Sequence, residues 1–122
     1  KEYNRYLNQL HGRVLLLKGN HDRASLDWVS DKLIAVRDQA MIVVDGVKIF
    51  AQHYPCAAFT GDYHVYGHIH TLADGICYGI DGDVTKMMRK NTYDVGVDQN
   101  GYTPVSYWQL CDIFRKKMNN DR

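Results

Sequence analysis

The 122-residue chain has few cysteines, no excess of charge and no long apolar run. Its three cysteines form no Cys-x-x-Cys pair, so no zinc-finger spacing is present. An odd number of cysteines without a signal-like segment predicts a reducing, cytoplasmic compartment. A formal net charge of +1 gives no field that would attract nucleic acid, and no run is long enough to span a bilayer. Neither a membrane nor a nucleic-acid partner is therefore indicated.

What the chain does contain is the pattern of one α/β domain, with 45% hydrophobic and 24% charged residues. Helical spacing predicts an amphipathic helix over residues 2–11, and Ser106 with Gln109 predicts a capping box that opens a final helix. A short helix is expected from Ser25. Strands are expected at 14–17, 40–44, 47–51, 63–66 and 93–97, with a hairpin turn at Asp45-Gly46 and a surface loop over 71–91.

Polar residues cluster where three of these strands end. Gly19-Asn20-His21-Asp22 follows the first strand, His53 follows the hairpin, and Gly67-His68-Ile69-His70 follows the strand at 63–66. In layered α/β folds, ligands collect beyond the carboxyl ends of strands. We therefore expect these side chains to share one site. If the last segment is extended, His68 and His70 point the same way and Ile69 points into the core.

The residue types at these strand ends favour a metal site. Neutral imidazole together with amide or carboxylate oxygen suits divalent manganese, iron, zinc or nickel. Two such ions roughly 3.5 to 4 Å apart can acidify a water molecule and clamp a phosphate for in-line attack. The predicted chemistry is the hydrolysis of a phosphate ester.

The Gly-Asn-His-Asp loop, the isolated His53 and the Gly-His-x-His ending resemble three of the five signature blocks of the calcineurin-like metallophosphoesterases. The resemblance extends loosely from residue 13 to about residue 107 and implies a layered β-sandwich flanked by helices. It implies that Asn20, His53 and His68 bind one metal and that His70 binds the other. It also implies that His21 contacts the phosphate and protonates the leaving oxygen, oriented by Asp22.

The role of the His21-Asp22 pair agrees with general chemistry, because a departing alkoxide needs a proton donor with a pKa near neutral. A neighbouring carboxylate fixes the imidazole tautomer. Asp22 could equally cap the helix expected after it, and both readings are kept. His64 is expected to be a hydrogen-bonded strand histidine rather than a ligand. Tyr54 either stacks on a nucleobase or packs.

The chain departs from the family by lacking its upstream Asp-x-His and Gly-Asp-x-x-Asp blocks, which supply the bridging carboxylate. Gly61-Asp62 is not the second block, because residue 65 is Val and the order is wrong. We therefore expect residues 1–122 to be the C-terminal part of a longer metallophosphoesterase domain, with at most one well-ligated metal site and little activity alone. Exposed sheet edges left by the missing strands predict either self-association or attachment to preceding residues.

Two functions remain open from the sequence. The first is a metal-dependent phosphoesterase acting on a phosphomonoester or a phosphodiester, and the second is a non-catalytic scaffold of the same fold that binds proteins. Scaffolds typically lose the His and Asn ligands, and this chain keeps all four downstream ligands and the acid histidine. The sequence therefore favours the enzyme.

Overall fold

The computed structural model describes residues 2–22, 33–70 and 87–119, and within them the chain is mixed α/β with two sheets. The helices are α1 (Glu2–Leu7), α2 (Tyr107–Asn119) and a 3₁₀ helix (Val97–Gln99). The strands are β1 (Val14–Leu17), β2 (Leu33–Arg37), β3 (Gln39–Val44), β4 (Val47–Gln52), β5 (Tyr63–Tyr66) and β6 (Thr92–Asp94). The α/β class expected from the sequence is confirmed at this level.

The larger sheet begins with the predicted hairpin. Strands β3 and β4 pair antiparallel with Val44 opposite Val47, across a two-residue turn at Asp45 and Gly46. Both turn residues have positive φ, 49° and 81°, as a type I′ turn requires. Asp and Gly tolerate this conformation, so the turn sequence fixes the register of the hairpin.

The rest of the larger sheet is parallel, in the order β3-β4-β5-β6. Strand β5 pairs parallel with β4 on one side and with β6 on the other. The carboxyl ends of β4, β5 and β6 therefore meet at one edge. Strand β1 pairs parallel with β2 in a separate two-stranded sheet, and β2 is an element that the sequence pattern did not predict.

Helix α2 covers one face of the larger sheet. Its capping box is present, because Gln109 N–H donates to Ser106 Oγ at 3.1 Å and Ser106 N–H donates to Gln109 Oε1 at 2.9 Å. Leu110 and Phe114 on this helix are buried with Ile49 of β4. The ring of Phe114 is stacked on Tyr63 of β5 with centroids 4.1 Å apart. The apolar face predicted for the helix thus forms the main core.

Two predicted elements are shorter than expected. Helix α1 ends at Leu7 and tightens into turns in which Gln9 N–H donates to Tyr6 O and Leu10 N–H to Leu7 O. Strand β6 ends at Asp94 because its carboxylate accepts a hydrogen bond from Gly96 N–H at 2.9 Å, a local turn that competes with the ladder. The expected helix from Ser25 and residues 71–86 of the expected loop lie outside the described residues.

No helix in the described ranges is long and apolar enough to cross a membrane.

Candidate metal centre

The loop after β1 is closed by its own aspartate. Asp22 Oδ2 accepts a hydrogen bond from Gly19 N–H at 2.7 Å, and Asp22 N–H donates to Gly19 O at 3.1 Å. This double contact folds residues 19–22 into a turn that presents Asn20 and His21 at the surface. The carboxylate therefore shapes the loop from within. Its orienting effect on His21 remains a prediction.

Glycine is required at position 19 because the loop passes very close to His53. A Cβ atom on Gly19 would lie 2.7 Å from both Cε1 and Nδ1 of the His53 ring. Such a distance is far inside van der Waals contact. A side chain at this position would have to displace the imidazole or the loop, so Gly19 allows the end of β1 to meet the end of β4.

Three of the expected ligands converge at this meeting point. His53 Nε2 lies 2.9 Å from Asn20 Oδ1 and 3.1 Å from His68 Nδ1. The ends of β4 and β5 are tied together beside them, because Gly67 N–H donates to His53 O at 2.9 Å. Two ligands that bind one octahedral ion at about 2.1 Å and at a right angle are about 3.0 Å apart. Asn20 Oδ1 and His68 Nδ1 each lie at such a distance from His53 Nε2, which is the spacing of neighbouring ligands of one divalent ion.

We call these three residues the Asn20–His53–His68 cluster. The cluster consists of one amide and two imidazoles, so it contains only two residues of the His, Cys, Asp and Glu types. Indeed, no group of three or more His, Cys, Asp or Glu able to hold a metal gathers within residues 2–22, 33–70 and 87–119. The amide of Asn20 is thus the third polar group that the cluster needs.

The Gly67-His68-Ile69-His70 segment is not extended, so the alternation that an extended segment would give to His68, Ile69 and His70 does not apply. Ile69 N–H donates to Gly67 O at 2.8 Å around His68, whose φ is 69°. These are the features of a classic γ-turn, which is rare and strained. His70 also has positive φ, 47°. Ile69 is only 4% exposed, so its predicted burial is confirmed even though the alternation that motivated it is absent.

The electrostatics of the cluster favour neutral imidazole at His68. Burial lowers the pKa of His68 below 6.5, and the positive charges that His53, His70 and His21 can carry act in the same direction. A metal is bound by the neutral ring.

The fourth expected ligand, His70, is not part of the cluster's hydrogen bonding to His53. Its Nδ1 lies 2.5 Å from Asp98 Oδ2, in a pair that joins the end of β5 to the 3₁₀ helix. The sequence analysis gave Asp98 no role. The available signal was that β6, like β4 and β5, sends its carboxyl end toward this edge, so that residues just beyond Asp94 reach the site.

Two neighbouring aromatic side chains have different roles. The Tyr54 ring is 4.9 Å from the His53 ring and 4.7 Å from the His68 ring, and the residue is 39% exposed. Tyr54 therefore packs on both imidazole rings, and its binding of a nucleobase remains a prediction. His64 is fully buried, with Nδ1 hydrogen-bonded to Phe50 O and Nε2 accepting from Cys56 N–H. Its expected structural role is confirmed.

No protein-family model matches the chain, and no curated protein does. Among solved structures, the chain is similar to AQ665, a protein of unknown function from Aquifex aeolicus, with a TM-score of 0.66 and 23% sequence identity. The match covers 92% of this chain and 67% of that one. At this identity the likeness shows a shared fold alone.

Proposed function

We propose that this chain contributes to a two-metal hydrolase of phosphate esters with a layered sandwich of the metallophosphoesterase type. The observation that carries the proposal is that Asn20 Oδ1 and His68 Nδ1 lie 2.9 and 3.1 Å from the same atom, His53 Nε2. These atoms come from three separate strand ends. Packing alone does not require three polar side chains to meet in this way.

The strain at His68 gives the proposal independent support. A non-glycine residue in a classic γ-turn is costly, and such strain clusters at functional sites. The side chain that this turn presents is one of the three converging donors. A scaffold that only binds proteins has no use for a strained ligand of this kind, so the geometry favours the hydrolase over the scaffold.

In the proposed mechanism, Asn20, His53 and His68 would hold one metal and His70 would contribute to the other. Ions held there would supply positive charge that attracts phosphate oxygens and acidifies water. His21, exposed on the Gly19–Asp22 turn, would donate a proton to the departing ester oxygen as a general acid. Asp22 keeps this turn closed through Gly19 N–H and so fixes where His21 stands.

The metal-binding half of the proposal can be tested by titrating the chain with Mn²⁺ or Zn²⁺ in a calorimeter. We expect one ion per chain to bind tightly at the cluster, with only weaker binding at His70, and we expect His53→Ala and His68→Ala each to abolish the tight binding. His11→Ala is the matched control, because His11 is an exposed histidine before β1 and outside the cluster. Equal loss in the control, or no binding by the unaltered chain, would contradict the proposal.

The catalytic half requires a carboxylate that bridges the two metals. The decisive observation is the sequence encoded immediately upstream of Lys1, where the proposal requires Asp-x-His followed by Gly-Asp-x-x-Asp. If these blocks are absent there, the catalytic proposal fails. If they are present, the protein that includes them should hydrolyse bis-p-nitrophenyl phosphate or p-nitrophenyl phosphate with Mn²⁺, and the preferred substrate separates a diesterase from a monoesterase.

A further inference from the structure

The His70–Asp98 pair joins two segments that are 28 residues apart in the sequence. The 2.5 Å between His70 Nδ1 and Asp98 Oδ2 is a short hydrogen bond of the charge-assisted kind. An ionised carboxylate only accepts hydrogen bonds, so Nδ1 must carry the hydrogen. In the neutral ring, Nε2 is then left with a lone pair.

Asp98 is held in place by a rigid support. Asn100 Nδ2 donates to Gly96 O at 2.8 Å and to Asp94 O at 3.1 Å, and Asn100 Oδ1 accepts from the Tyr93 hydroxyl at 2.6 Å. These bonds clamp the 3₁₀ helix onto the end of β6. The side chain of Asp98 is 37% exposed, and the residues on either side of it, Gly96 and Asn100, are joined by a hydrogen bond.

Gly96 makes room for the carboxylate. A Cβ atom at this position would lie 2.9 Å from Asp98 Oδ1 and 3.0 Å from Asp94 Oδ1. The φ of Gly96 is −53°, which any residue can adopt, so the backbone conformation does not demand glycine. Glycine is needed at position 96 because the carboxylates of Asp94 and Asp98 lie too close for a side chain.

A plain surface ion pair does not account for this arrangement. His70 is 52% exposed, and at that exposure a His–Asp pair contributes little to stability. His70 nevertheless adopts a left-handed backbone conformation, with φ 47°, while its ring meets the carboxylate. An unfavourable backbone, a clamped carboxylate and a glycine that clears space for it all serve the orientation of one imidazole.

We propose that Asp98 is a positioning residue for His70. It fixes the Nδ1–H tautomer and leaves Nε2 as the ligand atom, in the way that carboxylates orient metal-binding histidines generally. The part of this inference that concerns a metal rests on the function proposed above. The tautomer itself does not, since it can be measured without any metal.

The test is two-dimensional ¹H–¹⁵N NMR of the histidine rings in the metal-free chain at about pH 8, where imidazole is neutral. We expect His70 in the Nδ1–H tautomer, whereas free histidine prefers Nε2–H. In Asp98→Ala the equilibrium should move to Nε2–H. Gly96→Ala, which keeps the carboxylate but displaces it, should shift it in the same direction. Asp112→Asn is the matched control, because Asp112 is an exposed carboxylate in an ion pair with Lys116 on α2.

The same samples are then titrated with Mn²⁺, and the broadening of the His70 ring protons is followed. Asp98→Ala should weaken the apparent affinity at His70 about 10- to 100-fold, with no change in Asp112→Asn. A wild-type His70 in the Nε2–H tautomer, or a tautomer that Asp98→Ala leaves unchanged, overturns the inference. A correct tautomer with no Mn²⁺ effect in any variant overturns the metal function and leaves the positioning role standing.

Discussion

The Asn20–His53–His68 cluster and the His70–Asp98 pair lie near the same ends of the strands but are positioned by different means. In the cluster, each side chain directly follows or nearly follows a strand, and the atoms meet because the strand ends meet. In the pair, a turn residue is joined to a carboxylate on a 3₁₀ helix by one short hydrogen bond. Parallel pairing of β4 with β5 and the close backbone approach at Gly19 build the first, and a side-chain contact builds the second.

This difference predicts which amino-acid substitutions each region should tolerate. The cluster depends on backbone approach, so it is sensitive to added bulk at glycine and insensitive to distant charges. The pair depends on a single polar contact, so it is sensitive to the loss of one side chain.

The largest effect is expected from Phe114→Ala, which removes the support that both regions share. Phe114 is fully buried and stacked on Tyr63 of β5, so its truncation should lower the free energy of unfolding by about 3 to 5 kcal/mol. Urea unfolding measures this change. Trp108→Ala is the control on the same helix, because Trp108 is 72% exposed and should cost little. Equal losses would show that the core does not lie under β5.

Gly19→Ala should separate the two regions. The added methyl group would fall 2.7 Å from the His53 ring, so we expect the cluster's affinity for Mn²⁺ to fall about 10- to 100-fold while the His70 tautomer stays unchanged. Gly67→Ala is the matched control, since a Cβ atom there has its nearest neighbour at an ordinary 3.9 Å. If both variants bind equally well, backbone approach does not build the cluster.

Lowering the pH should lower the free energy of unfolding through His64 on β5. Burial lowers the pKa of this side chain below its usual 6.5, although its hydrogen bonds to backbone oppose the shift. Between the folded and unfolded pKa values only the unfolded chain binds the proton. The contribution of neutral His64 to the free energy of unfolding is therefore fully present above about pH 6.5 and is lost as the pH falls through the pKa of the folded state. The loss is no more than about 1.4 kcal/mol per pH unit.

The measurement is the unfolding free energy between about pH 5 and 8. His64→Gln can still donate to Phe50 O and accept from Cys56 N–H but does not titrate, so it should show a shallower pH dependence than the wild type. An unchanged slope in this variant would assign the pH dependence to other groups.

The smallest effect is expected from Ser106→Ala, which removes the cap of α2 and touches neither region. The loss of the Ser106 Oγ hydrogen bond to Gln109 N–H should cost about 1 kcal/mol of stability and leave Mn²⁺ binding unchanged. Ser106→Thr keeps a hydroxyl and should be nearly neutral. A change in metal affinity here would mean that the helix cap and the cluster are coupled.

Much of the fold could be predicted because local chemistry determined it. Asp45-Gly46 specifies a type I′ turn, Ser106 with Gln109 specifies a helix start, and Val14–Leu17 is a continuous apolar run. Strand β2 was missed because Leu33–Arg37 shows no clean alternation: its inward and outward positions do not follow period two. Its identity depends on parallel pairing with β1, which is information from a distant part of the chain.

The site divides in the same way. The meeting of His53 and His68 could be expected from where strands end, since parallel strands bring their carboxyl ends together. Asn20 follows a strand of the other sheet and reaches them through the close approach of Gly19 to His53. The contact of His70 with Asp98 could not, because it depends on two left-handed residues and on a turn created by the Asp94 carboxylate. Periodicity assumes regular backbone, and it fails where the chain leaves the strand.

The γ-turn at His68 has a consequence for protein engineering. Holding a histidine at φ 69° costs about 1 to 3 kcal/mol, whereas glycine adopts this conformation without a steric penalty. A directed-evolution screen that rewards only thermal stability would therefore tend to select glycine at position 68. The variant that survives such a screen would be a better folder with one converging donor removed, so heat tolerance is the wrong property by which to improve this chain.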